Sequence, residues 1–138
     1  MNKDTNVICV TADMSVLAAT QLMNEHRIGS VCVIDSAGLL IGVFSERDVL
    51  TRIVAAERSP QETLVGEVMT ANPCTCGADT ELDDLGEMMR DRRVRHVPVL
   101  DANGLLKGMV SIGDLNAFHV SAQQMQIQQL NDYVFGRA

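Results

Sequence analysis

Apolar positions along this chain switch between two periods, and the same switch occurs twice. Val16, Ala19, Leu22 and Met23 recur at helical spacing behind Asp13, which predicts an amphipathic helix with Asp13 as its N-cap. Leu82, Leu85, Met88 and Met89 repeat that face behind Asp79. Each helix gives way to a short β-branched run, Val31-Cys-Val-Ile34 and Val97-Pro-Val-Leu100, too short for a helix and predicted as a strand. An Asp-x-x-Gly turn follows each, then a second strand over 39–44 and 105–110, then a helix from about Asp48 and Asp114. Pro98 has no amide hydrogen for a ladder, so its strand is expected at an edge or with a bulge.

The two patterns superimpose at a constant offset: Asp35, Gly38 and Asp48 answer to Asp101, Gly104 and Asp114, each 66 residues on (101 − 35, 104 − 38, 114 − 48). Laying 8–50 on 74–116 needs no gap, and about 13 of those 43 pairs are identical. Such regularity implies two copies of one supersecondary unit. The expected fold is α+β, with two pseudo-twofold-related β-α-β-β-α repeats packed through their sheets, plus a C-terminal helix. Repeat 1 is placed at 5–58 and repeat 2 at 71–120. Between them, Ser59-Pro-Gln-Glu62 has the form of a capping box with Pro at the first helical position, and predicts a short helical linker over 59–70. The incomplete apolar stripe of Leu115, Phe118, Ala122, Met125 and Leu130 predicts a helix extending through 121–138, packed on a second subunit.

Composition narrows the classes. A chain of 138 residues with 46% hydrophobic content fits one globular module, whereas either half alone buries little surface. A net charge of −7 argues against a general nucleic-acid binder, although a nucleotide needs only a few cations. No apolar run approaches the roughly 18–20 residues of a membrane span, and the polar start lacks a signal peptide's apolar stretch, so the expected location is cytoplasmic, with no membrane partner. Cys9, Cys32, Cys74 and Cys76 sit in apolar, strand-like stretches and read as small buried hydrophobes. Cys74-Thr-Cys76 has the wrong spacing for a zinc knuckle, but on a strand its sulfurs would share a face, which leaves a redox pair open. His26, His96 and His119 form no metal motif, and no catalytic triad or cofactor fingerprint is present.

What both copies keep is Gly-x-x-Ser-x-x-Asp, as Gly42, Ser45 and Asp48 and as Gly108, Ser111 and Asp114. A carboxylate at a helix start after a strand is able to accept hydrogen bonds from both hydroxyls of a ribose, at about 1.5–3 kcal/mol for bonds to a charged group. It equally suits the helix dipole with no ligand at all. The shared glycine lets backbone approach a ligand, and Ser45 and Ser111 add a hydroxyl and helix N-terminal amides that suit phosphate. Arg90, Arg92, Arg93 and Arg95 place four of the chain's 11 cationic side chains within six residues. The first three read as a solvated helix face, while Arg95 and His96 lead directly into a strand. Repeat 1 has Gly29 and Ser30 there, so the copies are not chemically equal.

Gly42-Val-Phe-Ser-Glu-Arg-Asp48 and Gly108-Met-Val-Ser-Ile-Gly-Asp114, with Val94-Arg-His-Val-Pro-Val99 and Val68-Met-Thr70, resemble a tandem pair of cystathionine-β-synthase (CBS) domains, a Bateman module. The resemblance covers about residues 5–120; repeat 1 departs from it by lacking the Val-x-x-Val-Met-Thr segment that precedes repeat 2. It implies two clefts between the repeats that take adenosyl compounds: AMP first, with NAD(H), ATP/ADP or S-adenosylmethionine as alternatives. By resemblance, one cleft uses Asp114 and Ser111 on the ribose, Arg95 and Arg47 on the phosphate, and Val7, Ile8 and Met109 around adenine. The other uses Asp48, Ser45 and Val43 with Cys74, Arg95 and His96. The implied function is regulatory rather than catalytic: a homodimeric nucleotide sensor that signals to an unidentified protein. A protein-interaction scaffold with vestigial clefts is the alternative, and a thiol switch through Cys74 and Cys76 a third reading.

Overall fold

The computed structural model describes residues 7–77 and 79–116, in two compact units that divide between Pro73 and Cys74. The first contains β1 (Cys9–Thr11), α1 (Val16–His26), β2 (Ser30–Ile34), β3 (Leu40–Ser45) and α2 (Glu46–Asp48), which continues into a π-helical stretch (Val49–Val54). It is completed by α3 (Val65–Val68) and β4 (Thr70–Ala71). The second contains β5 (Cys76–Gly77), α4 (Leu82–Arg92), β6 (His96–Leu100) and β7 (Leu106–Ser111), followed by helix over 112–116. Two mixed sheets result, ordered β1-β2-β3-β4 and β5-β6-β7, each with flanking helices in the predicted α+β arrangement. The predicted C-terminal helix over 121–138 lies outside the described residues. Among the described residues no helix is long and apolar enough to cross a membrane.

The duplication holds down to strand register. Ser30 pairs with Ser45 and Val33 with Gly42, while His96 pairs with Ser111 and Val99 with Gly108; both hairpins slip at the same place, between Val33 and Ile34 and between Val99 and Leu100. Both turns are built alike. Asp35 Oδ1 accepts from the Ala37 and Leu39 amides, Asp101 Oδ1 from those of Asn103 and Leu105. Gly38 and Gly104 take φ of 85° and 84°, where a side chain would be strained. Alternation along each strand sends Val31, Val33 and Phe44 into one core and Val97, Val99 and Val110 into the other, beneath Val16, Ala19 and Met23 of α1 and Leu85 and Met89 of α4.

Pro98 lies in a central strand, not at the expected edge, and its missing amide shows instead in where pairing begins. In the first sheet the Cys32 amide, at the position of Pro98, donates to the Ile8 carbonyl, and β1 pairs from Cys9 onward. Proline deletes that donor, and β5 begins pairing only at Cys76 with Val99. The register slip occurs in both copies, so it does not come from the proline.

Three local expectations change. The N-cap of α1 is Ser15, whose Oγ accepts from the Ala18 amide at 3.1 Å, whereas Asp13 accepts from the Thr11 hydroxyl. Likewise α4 is flanked by Glu81 without a side-chain cap, not by Asp79. The segment after Ser59 forms turns rather than a helix, because its carbonyls are already engaged: Thr63 O accepts from the Val16 amide and Pro60 O from that of Leu17. Those two bonds and Ser15 satisfy three orphan amides at the start of α1. Helix returns only at α3, where Val65 and Val68 are buried in the first core.

Candidate functional site

Each copy's Ser-x-x-Asp sits where the hairpin's second strand turns into helix. Helix begins at Glu46 and at 112, two residues before the predicted start, so Asp48 and Asp114 are third helical residues of capping boxes and not first residues. Ser45 donates through its amide (2.9 Å) and hydroxyl (3.2 Å) to Asp48 Oδ2, and Ser45 Oγ accepts from the Asp48 amide at 3.3 Å. The second copy repeats the exchange: the Ser111 amide donates to Asp114 Oδ2 at 3.1 Å and the Asp114 amide to Ser111 Oγ at 3.0 Å. One amide of each helix start also donates back to the entering strand, Glu46 to Gly29 O (2.9 Å) and Ile112 to Arg95 O (2.8 Å). The amides counted on for phosphate are therefore largely engaged within the chain, which leaves anion recognition to side chains.

The second unit supplies such side chains. The Ile112–Arg95 bond and the His96–Ser111 register bring Arg95, His96, Ser111 and Asp114 to one end of the β6–β7 hairpin. Met109 lies two residues before Ser111 and thus on its face of the sheet. Arg95 is exposed; His96, Met109, Ser111 and Asp114 are half-buried. Arg90 and Arg92 stand exposed in the last turn of α4, where cations suit the dipole, and Arg93 follows as an exposed C-cap with φ of 54°.

The first unit keeps the cap but differs in the side chains around it. Gly29 stands where Arg95 stands, and the Glu46 carboxylate lies over it; a Cβ built on Gly29 would meet Glu46 Cδ at 3.3 Å. Asp48 is buried, and Arg52 Nε lies 3.7 Å from its Oδ1. Arg47 is exposed, Val7 and Ile8 are half-buried at the entry to β1, and the Ile8 carbonyl accepts from the Cys32 amide, Cys32 itself pairing with Cys9 on one side and Val43 on the other. Of the predicted site residues, then, Asp114, Ser111, Met109, Arg95 and His96 share one unit, while Asp48, Ser45, Arg47, Val7 and Ile8 belong to the other. Glu46 and Arg52 were not among the candidates; the spacing of Asp48 and Arg52, one helical turn, was the available signal.

The two buried cysteines, Cys32 and Cys76, are unsuited to thiol chemistry. Burial pushes the Cys32 thiol up to about 12, with neighbouring Cys9 adding to the shift, and the Cys76 thiol up to about 11, with Cys74 adding to it. The thiolate is the reactive form, so these thiols are held inert at neutral pH. Among the described residues no group of three or more His, Cys, Asp or Glu side chains is placed to hold a metal.

Comparison with known proteins gives these features a family. The CBS domain model matches residues 1–55 and 65–119. The Arabidopsis thaliana CBS domain-containing protein CBSX3, mitochondrial, is 35% identical over 130 residues, which cover 91% of this chain and 63% of that protein, so the chain spans a little under two thirds of that relative. A solved structure of a protein with CBS domains from Burkholderia ambifaria superimposes with a TM-score of 0.81 at 35% identity, covering 91% of this chain and 90% of the other. Arabidopsis CBSX2, solved in complex with AMP, gives 0.74 at 27% identity, over 86% and 90%. The duplicated sequence, the matching hairpin registers and these similarities agree, and the chain belongs to the CBS-domain family as a tandem CBS pair, a Bateman module.

Proposed function

We propose that Arg95, His96, Ser111 and Asp114 of the second repeat recognise an adenine nucleotide, AMP first, with NAD(H), ATP/ADP and S-adenosylmethionine as rivals that share its adenosyl group. As a CBS pair the chain is a regulatory module and not an enzyme. Occupancy signals to a partner protein by a conformational change, in a cytoplasmic homodimer. The observation that carries this reading is the convergence, in one unit, of an exposed guanidinium and a carboxylate fixed by its own capping box. An ionised carboxylate is an acceptor only and suits a ribose diol; a guanidinium suits phosphate. Met109 adds an apolar wall on the same face. Arg47 as a second phosphate cation, and Val7 and Ile8 beside adenine, follow from the resemblance. The AMP complex of CBSX2 supports the choice of ligand.

Titration calorimetry at fixed ionic strength tests the assignment. Asp114→Asn should weaken AMP by about 10- to 150-fold, the equivalent of 1.5–3 kcal/mol, and deoxy-AMP should bind the native protein poorly. Arg95→Ala should weaken AMP far more than adenosine, which lacks the phosphate, while Arg92→Ala should change neither. Equal affinity for ribo and deoxy ligands, or equal effects of Arg92 and Arg95, would overturn the assignment. The scaffold reading draws on the first copy, whose Ser-x-x-Asp is closed by its own chain; absence of binding by any of the four ligand classes would select it.

A further inference from the structure

The first repeat carries an apolar face that its own core does not use. Along α2 and the π-helical stretch that continues it, Asp48 and Ile53 are buried, while Leu50 and Val54 point outward with 62% and 63% of their surface exposed. A single exposed leucine is ordinary. Here two large apolar side chains stand one turn apart, and exposed charges flank them: Arg47 three residues before Leu50 and Glu57 three residues after Val54. Positions 47, 50, 54 and 57 thus follow the 3-4-3 spacing at which helices meet along a seam. Arg52, in the middle, is engaged instead with its own chain, where its Nη1 donates to the carbonyls of Val68 (2.8 Å) and Met69 (3.1 Å). The residues 66 positions on from Leu50 and Val54 are Asn116 and Val120, so the apolar pair is not repeated in the second copy.

We infer that, in the nucleotide-free protein, this face pairs with the same face of a second copy, antiparallel across a twofold axis near Arg52. The inference rests on the proposed homodimer and names a surface that forms it, in the first repeat and separate in sequence from the apolar stripe of 115–130. The pattern is its own complement. Leu50 and Val54 lie two residues either side of Arg52, and Arg47 and Glu57 lie five residues either side. Antiparallel pairing therefore sets Leu50 against the partner's Val54 and Arg47 against the partner's Glu57, and the twofold repeats both contacts. Parallel pairing in the same register sets arginine against arginine and glutamate against glutamate, so like charges oppose it. A second copy supplies the matching order of apolar and charged side chains by construction. Two apolar side chains make a small seam, so the charges chiefly set register and exclude wrong pairings.

Sedimentation velocity on the full chain without nucleotide, over a micromolar concentration series, tests the pairing. The native protein is expected to be dimeric. Leu50→Glu places a carboxylate at both symmetric contacts and should raise the dissociation constant by about 100-fold, roughly 10-fold at each contact. Leu50 is exposed within its own chain, so the circular dichroism of the variant should match the native spectrum. Arg47→Glu and Glu57→Arg each bring like charges together and should each weaken the dimer by about 3- to 10-fold. The two substitutions in one chain should restore it, a recovery that loss of folding does not produce. A native protein that stays monomeric overturns the homodimer reading and this inference together, and leaves the face to a different protein. A native dimer that a folded Leu50→Glu leaves intact overturns this inference alone, as does a double charge variant no tighter than the single ones. If Leu50→Glu fails to fold, the charge exchange decides.

Discussion

The two repeats share a hairpin register residue for residue, yet they use the same motif differently. In the first, Ser45, Asp48 and Arg52 tie the helix start to the end of α3, and the core gains Val65 and Val68 from that segment. In the second, the same Ser-x-x-Asp cap stands beside Arg95 and His96, and among the described residues no counterpart of α3 joins the core. Duplication copies geometry; chemistry follows from the few positions where the copies differ. Gly29 against Arg95 and Glu46 against Ile112 give the end of one hairpin an exposed cation and the other a carboxylate.

The largest difference to test is in the thiols. Relative to an ordinary value near 9, a Cys32 thiol at about 12 has roughly 1000-fold less thiolate at pH 8, and Cys76 at about 11 roughly 100-fold less. Alkylation monitored by peptide mass spectrometry should therefore be slower in the folded than the unfolded protein by about those factors, more so in the first repeat. The sign for stability follows. The folded state holds these protons more tightly, so stability is full below pH 9 and falls as pH rises toward 11–12. Rapid labelling of Cys32 at pH 8 would break the comparison by showing the first core to be open.

A smaller effect probes ownership of α3. Val65→Ala removes side-chain volume from the first core and should cost about 2 kcal/mol in denaturant unfolding. Hydrogen exchange should then speed up in α1 and β3 before it does in α4 and β6. Equal acceleration in both repeats would show that α3 supports them alike.

The smallest effect concerns a strain both copies carry. Arg27 and Arg93 end α1 and α4 with φ of 56° and 54°, a left-handed conformation that favours glycine. Arg27→Gly and Arg93→Gly should each stabilise the protein by up to about 1 kcal/mol, read as a rise in the unfolding midpoint. Neither should alter AMP affinity. Weaker binding in Arg93→Gly alone would extend the site from Arg95 into the cap of α4.

Much of this was legible in the sequence because it is local. The periods of Val16 to Met23 and Leu82 to Met89, the β-branched runs and the Asp-x-x-Gly turns each depend on neighbours in the chain, and the 66-residue offset carried them from one copy to the other. Asp114, Ser111 and Arg95 became candidates on the same local grounds, as a motif kept twice and a cation found once. What the sequence left open depended on groups far apart in the chain. Ser59-Pro-Gln-Glu62 had every local mark of a helix start, but Pro60 and Thr63 give their carbonyls to α1, more than 40 residues earlier. Asp13 looked like a cap until Ser15 proved to hold the Ala18 amide. The hydrogen bonds from Arg52 to the Val68 and Met69 carbonyls exist only once α3 has folded back onto the first repeat. Local preferences fix the elements, since they need only nearby atoms. Which side chains and carbonyls meet across the fold depends on distant segments arriving beside them, which no local preference encodes.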